Sequence, residues 1–204
     1  MKIDVTTAPS SEPVSVADAA TQVFGDATYD STKLTRDIAA ARLRAEQYCG
    51  IGFINQTWTV TLDGFPSVTT KNPRGIIYLP GKVQSLTSLR YEDSNGDTQT
   101  LIEDTDFTLD NSGLQGRLLP VSGNSWPNTT DYELGTVTIV YVTGFGADLS
   151  GVQYQSIIDA ILLDVGTLYE VRQTVGPNNL YHNSVYQMLL HPFRDYFDYG
   201  VNDE

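Results

Sequence analysis

The 204-residue chain is poor in the side chains on which most protein chemistry depends, with one cysteine and two histidines. Cys49 cannot form an internal disulfide, so packing must hold the fold together, and we expect this residue to be a small apolar member of the core. His182 and His191 are the only candidates for an imidazole base. Nothing in the sequence places a serine, cysteine or aspartate beside them, which disfavours catalysis.

Positive charge and long apolar runs are also scarce. Twelve Lys and Arg residues stand against 25 Asp and Glu, a formal net charge of -13. Tight binding to phosphates is driven by Lys and Arg, so a nucleic-acid reader is disfavoured. No apolar run approaches the ~18 residues that a membrane span needs, and the first ten residues do not resemble a secretory signal. We expect a chain that is made in a cytoplasm and has no membrane partner.

The motifs of the common enzyme classes are missing. There is no phosphate-binding loop, Rossmann glycine pattern or zinc-protease motif, and residues 123–127 (GNSWP) lack the second glycine of a nucleophile elbow. The sequence therefore predicts a protein that is not an enzyme, with no catalytic residues and no cofactor.

One loop has the spacing of a calcium site but not its other requirements. The oxygen-bearing residues are Asp93, Asn95, Asp97, Gln99 and Asp104. An EF-hand needs glycine where Thr98 stands, and it needs flanking helices where strands are predicted. Asn95-Gly96 is instead typical of a type I′ hairpin turn, so we expect no metal here.

Helical patterns occupy the first quarter of the chain after a loose arm of about ten residues. Ser15 with Asp18 resembles a capping box, and Asp30 is a candidate N-cap for a second helix. Gly50 is expected to end that second helix. The apolar stripe of the second helix consists of Leu34, Ile38, Ala41, Ala45 and Tyr48.

The middle of the chain has the period of β-strands. Trp58, Val60 and Leu62 alternate with threonines, which indicates a strand with one buried face. Further strands are predicted at residues 76–79, 86–92, 98–102, 107–109, 116–119 and 136–143. These short strands, separated by turn residues, favour an antiparallel sandwich or barrel.

The chain then returns to helix. An apolar stripe runs from Ile157 to Tyr169, and a last helix carries Val185, Leu189, Phe193 and Phe197, with Pro192 either kinking it or starting a second short piece. The predicted fold class is α+β. We expect residues 1–53 and 147–204 to form a helical bundle and residues 54–146 to form an inserted antiparallel β-rich domain, a sandwich or barrel.

The order of short motifs along nearly the whole chain resembles the head-tail connector (adaptor, head completion) family of tailed bacteriophages, in its larger members with a β-rich insertion. The motifs are PVSVADA (13–19), INQTW (54–58), LDGFP (62–66), IYLP (77–80), VQSLTSL (83–89), SWP (125–127) and VYVTGFG (140–146). Residues 175–183 and the tail after Pro192 depart from this pattern.

The resemblance implies a structural subunit of the virion neck, between capsid and tail. It implies a homo-oligomeric ring of about twelve copies, with the portal protein above and a tail completion or stopper protein below. Double-stranded DNA would pass through without sequence-specific binding, and a ring of such acidic subunits would repel phosphate. The alternative is a β-sandwich module that binds carbohydrate or protein, and a hydrolase is disfavoured by the missing motifs.

The C-terminal tail is the candidate contact site. Phe193, Tyr196, Phe197 and Tyr199 lie in an acidic, weakly helical stretch with more aromatic surface than a solvated tail needs. We expect these rings to bury against the portal or a neighbouring subunit, with Asp195, Asp198, Asp203 and Glu204 facing basic residues of the partner. The alternative is that the rings fold back on the subunit's own helices.

Overall fold

The chain divides into two compact units, each built from separate stretches of sequence. A computed structural model describes residues 1–70, 72–130, 134–170 and 184–196. One unit, the sheet unit, contains Met1–Pro9, Asn55–Phe145 and a C-terminal piece that begins at Asp195. The other, the helical unit, contains Ser10–Ile54 and Gly146–Arg194. The protein thus combines antiparallel sheets and helices, as the α+β prediction requires.

The sheet unit contains a five-stranded and a three-stranded sheet among its described residues, and every neighbouring pair of strands is antiparallel. The first sheet has the order β1-β2-β8-β4-β5 and the second the order β3-β7-β6. The strands are β1 (Lys2–Thr7), β2 (Gln56–Leu62), β3 (Ile77–Leu79), β4 (Val83–Glu92), β5 (Thr98–Leu101), β6 (Phe107–Asp110), β7 (Gly116–Pro120) and β8 (Val137–Thr143). The predicted strands from Gln56 onward are confirmed to within a few residues.

Both sheets contribute side chains to one core. In β2 and β8 alternate residues are buried, and Val60, Ile139 and Tyr141 are inaccessible to solvent. Burial of the Tyr141 ring is accompanied by a hydrogen bond, since its hydroxyl donates to the Pro80 carbonyl at 2.9 Å. The second sheet supplies Ile77, Leu79, Phe107 and Leu118 to the same cluster. Two sheets that share a core in this way form a sandwich.

The prediction of a loose N-terminal arm is wrong for residues 2–7. These residues form β1, which pairs with β2 along the edge of the five-stranded sheet, from Lys2 opposite Thr61 to Thr7 opposite Thr57. The pairing is made by the backbones and by a hydrogen bond between the Thr6 and Thr59 hydroxyls, while all six side chains of β1 are exposed. A strand that buries so little is hard to detect by the amount of apolar sequence it contains.

The predicted type I′ turn at Asn95-Gly96 is also wrong in detail. Gly96 has a positive φ of 84°, but Asn95 does not. The Gly96 amide donates to the Asp93 carbonyl and the Asp93 amide to the Asp97 carbonyl, which closes a longer loop with glycine in the left-handed position. The Asp93 carboxylate accepts from the Asn95 amide, and this bond stabilises the negative φ of Asn95.

The helical unit has four α-helices among its described residues: α1 (Val16–Val23), α2 (Ser31–Cys49), α3 (Gln155–Glu170) and α4 (Ser184–Leu190). Helix α3 packs against each of the other three. Its buried side chains Ile157, Ala160, Ile161 and Val165 face the helical core. The buried residues of α2 include Leu34, Ile38, Ala41, Ala45 and Cys49, so the predicted stripe is confirmed apart from the half-buried Tyr48.

The helix ends follow the predicted signals with one change of partner. The Ser15 hydroxyl accepts from the Asp18 amide at 3.1 Å, and Gly50 ends α2 with a φ of 72°. Asp30 precedes α2 as predicted but makes no side-chain cap bond. Its carboxylate instead accepts from the Tyr169 hydroxyl at 2.8 Å and ties the start of α2 to the end of α3.

A buried ion pair fixes the chain where it leaves α2. The Arg42 guanidinium donates to Glu46 at 2.7 Å and to Glu12 at 2.7 Å, and the Glu46 carboxylate also accepts from the Phe53 amide. Arg42 and Glu46 are almost fully buried, so each charge needs its partner. Across the described ranges, none of the helices has the length and apolar character required to cross a membrane.

Candidate functional site

The described part of the tail folds back onto the helical unit at Phe193. Helix α4 is followed by a 3₁₀ turn, His191–Phe193, which Pro192 opens, so the proline starts a second short piece. The Phe193 ring lies 6.5 Å from that of Tyr154, and the Arg194 guanidinium lies 5.2 Å from the centre of the Tyr48 ring. Phe193 is therefore half-buried within its own chain.

Tyr196 differs from Phe193 because 60% of its surface is exposed. The preceding residue, Asp195, is held in the sheet unit, where its carboxylate accepts a hydrogen bond from Gln115 Nε2 at 2.6 Å. Phe197 and Tyr199, with Asp198, Asp203 and Glu204, lie outside the described residues. Of the four predicted contact residues, Tyr196 is the one that the structure describes with a largely exposed ring.

Among the described residues, the Cys49 thiol has neither an imidazole nor a carboxylate as its hydrogen-bond partner. Cys49 is fully buried at the end of α2, and burial raises the pKa of its thiol to about 12, which keeps the sulfur protonated at neutral pH. His191 is exposed in the 3₁₀ turn, and His182 lies outside the described ranges. The Cys49 thiol donates to the Leu190 carbonyl at 3.7 Å, so it is not paired with a general base.

The loop after β4 uses its carboxylate for its own structure. Asp93 accepts hydrogen bonds from Gln99 Nε2 at 2.9 Å and from the amides of Asn95 and Asp97 at 2.9 and 3.1 Å. These hydrogen bonds lower the pKa of the Asp93 carboxylate, and the bond from Gln99 has the largest effect. Within the residues that the structure describes, no three Asp, Glu, His or Cys side chains are close enough to hold a metal ion.

The two tryptophans are engaged inside the sheet unit. Trp58 is 9% exposed and meets the Tyr141 ring edge-on. Trp126 stacks on Phe65 with ring centres 4.9 Å apart, and its indole N–H donates to the Gly75 carbonyl. A carbohydrate module usually presents open aromatic faces, so these indoles give the alternative function no support.

One exposed aromatic pair was not found from the sequence. Phe24 ends α1 in the left-handed conformation, with φ 52°, and its side chain is 99% exposed. Tyr29, in the same connection to α2, is 89% exposed. The connection is ordered by the Asp26 carboxylate, which accepts from the amides of Thr28 and Tyr29. Two exposed rings on an ordered loop are typical of a contact surface. The positions of these two residues in the sequence do not distinguish them from aromatic residues of the core.

A second surface that was missed lies on β1. Met1, Ile3 and Val5 are 36, 42 and 56% exposed, and they alternate with Lys2, Asp4 and Thr6. Apolar and polar residues alternate here as they do in a strand, but the pattern covers only about six exposed residues and is a weak sequence signal. We call Met1, Ile3 and Val5 the β1 strip.

The negative charge is concentrated in the sheet unit. By sequence, this unit has fifteen acidic and six basic residues, whereas the helical unit has ten and six. Their formal net charges are therefore -9 and -4. An acidic sheet unit is suited to repelling phosphate rather than binding it.

Comparison with known proteins gives a match in fold and none in sequence family. No family model matches the chain, and no curated protein matches it in sequence. Its fold is similar to a chain from the neck of an empty gene transfer agent (GTA) particle computed with C6 symmetry, at 20% identity and a TM-score of 0.75. It is also similar to a chain from the virion of a native GTA particle, at 19% identity and a TM-score of 0.73. A chain from the neck of a native GTA particle computed with C12 symmetry matches at 20% identity and a TM-score of 0.69. In each case 95% of both chains is covered, so the shared fold includes both units.

Proposed function

We propose that the chain is a structural subunit of the neck of a phage-like particle, a head-tail connector that assembles into a ring beneath the portal. The observation that carries the proposal is the similarity of fold over 95% of both chains to proteins in GTA necks. The order of sequence motifs points independently to the same class. The C6 and C12 symmetry of those necks supports a cyclic assembly, with twelve copies as the expected number.

In this proposal the helices from both ends of the sequence form the connector bundle, and residues 54–146 form a domain inserted into it. Packing of α3 against α1, α2 and α4 supports a bundle built from both ends. The portal binds on one side of the ring and a tail completion or stopper protein on the other. DNA passes through the ring without base-specific contacts, which the formal charge of -13 per copy favours.

The C-terminal tail is proposed as the contact with the portal or a neighbouring subunit. Tyr196 supports this role through its exposed ring, and Phe197 and Tyr199 follow it in an acidic sequence. Phe193 contributes indirectly, because its contact with Tyr154 fixes the point from which the tail leaves the helical unit.

The direct test is the size of the purified protein. Mass photometry and electron microscopy of the protein alone, and mixed with the portal of the same particle, are expected to show closed rings that bind the portal. A protein that stays monomeric at every concentration, with and without the portal, would overturn the proposal. A protein that binds a sugar array as a monomer would favour the carbohydrate module instead.

A further inference from the structure

The five-stranded sheet ends in two strands whose outer edges meet no other strand that the structure describes. These edge strands are β1 and β5. An open edge presents a row of backbone N–H and C=O groups, which readily pair with a strand of another chain. Neither strand has a proline within it that would prevent such pairing.

The directions of these two strands fit a rotational assembly. Successive strands in the order β1-β2-β8-β4-β5 are antiparallel, so β1 and β5 run in the same direction. Rotation about a ring axis carries one copy to the next and brings different surfaces together. The edge β5 of one copy can therefore meet β1 of the next as a parallel pair. A two-fold dimer would instead bring β1 against β1 in antiparallel orientation.

The β1 strip supplies an apolar surface at this edge. Cross-strand partners lie on the same face of a sheet, and Ile3 is opposite Val60 while Val5 is opposite Trp58. Val60 is fully buried and Trp58 nearly so, whereas Ile3 and Val5 remain 42 and 56% exposed. The core-facing side of the sheet thus continues onto β1 without cover from the second sheet.

The β5 edge offers a matching face. Leu101 is opposite the buried Leu89, so it lies on the core-facing side of β5. When Val5 is placed beside Leu101 in a parallel pair, Ile3 lies beside Gln99 on the same face, and Asp4 lies beside Thr100 on the outer face. This register puts the exposed Val5 beside Leu101 and continues the core-facing side of the sheet from one copy to the next.

We propose that β1 of one copy pairs in parallel with β5 of the next, so that the five-stranded sheets join edge to edge around the ring. The partner is a second copy of this chain. The inference rests on the proposed ring, and it names the surfaces that close the ring.

The register can be tested with a disulfide between Asp4→Cys and Thr100→Cys. The proposed pairing puts these positions side by side on the outer face, and both are exposed. Within one copy they lie on opposite edges of the sheet, about 19 Å apart across β2, β8 and β4, so a disulfide between them must join two copies. The matched control pairs Asp4→Cys with Gln99→Cys, which lies on the opposite face of β5.

On mild oxidation, the Asp4→Cys and Thr100→Cys double variant is expected to give a ladder of linked multimers in non-reducing electrophoresis. The control variant and the original chain are expected to stay unlinked. Rings in the electron microscope without a ladder would overturn the edge pairing and leave the proposed function standing. A monomer in the microscope and on the gel would overturn both. Dimers from Asp4→Cys alone would show two-fold pairing of β1 and also overturn the proposal.

A second measurement does not depend on disulfide geometry. Val5→Asp places a charge on the β1 strip, and Val68→Asp makes the same change at another exposed valine of the sheet unit, in the loop after β2. We expect Val5→Asp to raise the concentration for half-assembly at least about tenfold, with an unchanged melting temperature, and Val68→Asp to leave both unchanged. Equal assembly of the two variants would overturn the proposal.

Discussion

Two glycines of this chain differ in what an added methyl group would meet. A Cβ at Gly116 in β7 would lie 2.5 Å from Cγ2 of Val83, so the strands approach here as closely as glycine allows. A Cβ at Gly166 in α3 would meet no atom within 4 Å. We expect Gly116→Ala to lower the free energy of unfolding by about 1–3 kcal/mol through overpacking. Gly166→Ala should raise it by about 0.5–1 kcal/mol, because alanine favours helix.

Urea denaturation of the two variants measures this difference. The double variant Gly116→Ala and Val83→Ala removes the methyl groups that would clash. Its loss of unfolding free energy should therefore be smaller than the sum of the losses in the two single variants. Additive losses would contradict a direct contact between these positions.

The buried thiol of Cys49 gives a second prediction at the residue scale. Because burial raises its pKa to about 12, the reactive thiolate is scarce at pH 8, and the surrounding core excludes reagent. The native protein should therefore react with a thiol reagent far more slowly than the protein in guanidinium chloride. Absorbance of the released chromophore checks this directly. Rapid labelling of the native protein would show that the end of α2 opens.

At the scale of elements, segments with a strong apolar period could be predicted from the sequence, whereas the edge strand β1 and the turn at Asn95 could not. The Trp58-Val60-Leu62 alternation and the α2 stripe reflect burial, which the sequence encodes as a repeat. Strand β1 buries little and was missed for that reason. The conformation of Asn95 depends on a bond to the Asp93 carboxylate, and dipeptide preference does not include such a bond.

Packing of α2 against α3 gives the prediction for the helices. Ile161 is fully buried on the α3 face, and Ile161→Ala should lower the free energy of unfolding by about 2–5 kcal/mol, since it removes buried methyl groups and leaves a cavity. Val152→Ala, at a site 91% exposed just before α3, is the matched control and should change it by less than about 0.5 kcal/mol. Thermal denaturation followed by circular dichroism compares them. Equal stability of the two variants would place Ile161 outside the core.

At the scale of the whole molecule, truncation tests the role of the tail. Removal of residues 195–204 takes away Tyr196, Phe197 and Tyr199 together with the bond from Gln115 to Asp195. Removal of residues 197–204 alone keeps that bond and Tyr196. Because Tyr196 is largely exposed, we expect both truncated proteins to melt within a few degrees of the full chain and to lose binding to the portal.

Co-sedimentation with the portal measures the loss, and the shorter truncation separates the two parts of the tail. Binding that survives only in the shorter truncation assigns the contact to Tyr196 or Asp195. Full binding by both truncated proteins would refute the proposed role of the tail.

The candidate surfaces of the whole molecule were only partly predictable. Tyr196 could be chosen because it stands in an acidic, aromatic segment, but the fold-back of Phe193 onto Tyr154 depends on residues far apart in sequence. Phe24 adopts the left-handed conformation at the end of α1, and its side chain lies outside the core. Such geometry has no periodic signature, so an exposed aromatic and a core aromatic look alike in sequence.

The division of each unit into separate stretches has a consequence for synthesis. Helices α1 and α2 leave the ribosome about a hundred residues before α3, the helix against which both pack. Strands β2 to β8 are made in between, and together they form both sheets apart from strand β1. The sheets can therefore form during translation, whereas the apolar faces of α1 and α2 stay uncovered until α3 is made. During that interval these apolar faces are open to other chains, and we expect slowed translation between residues 62 and 155 to increase aggregation of the nascent chain.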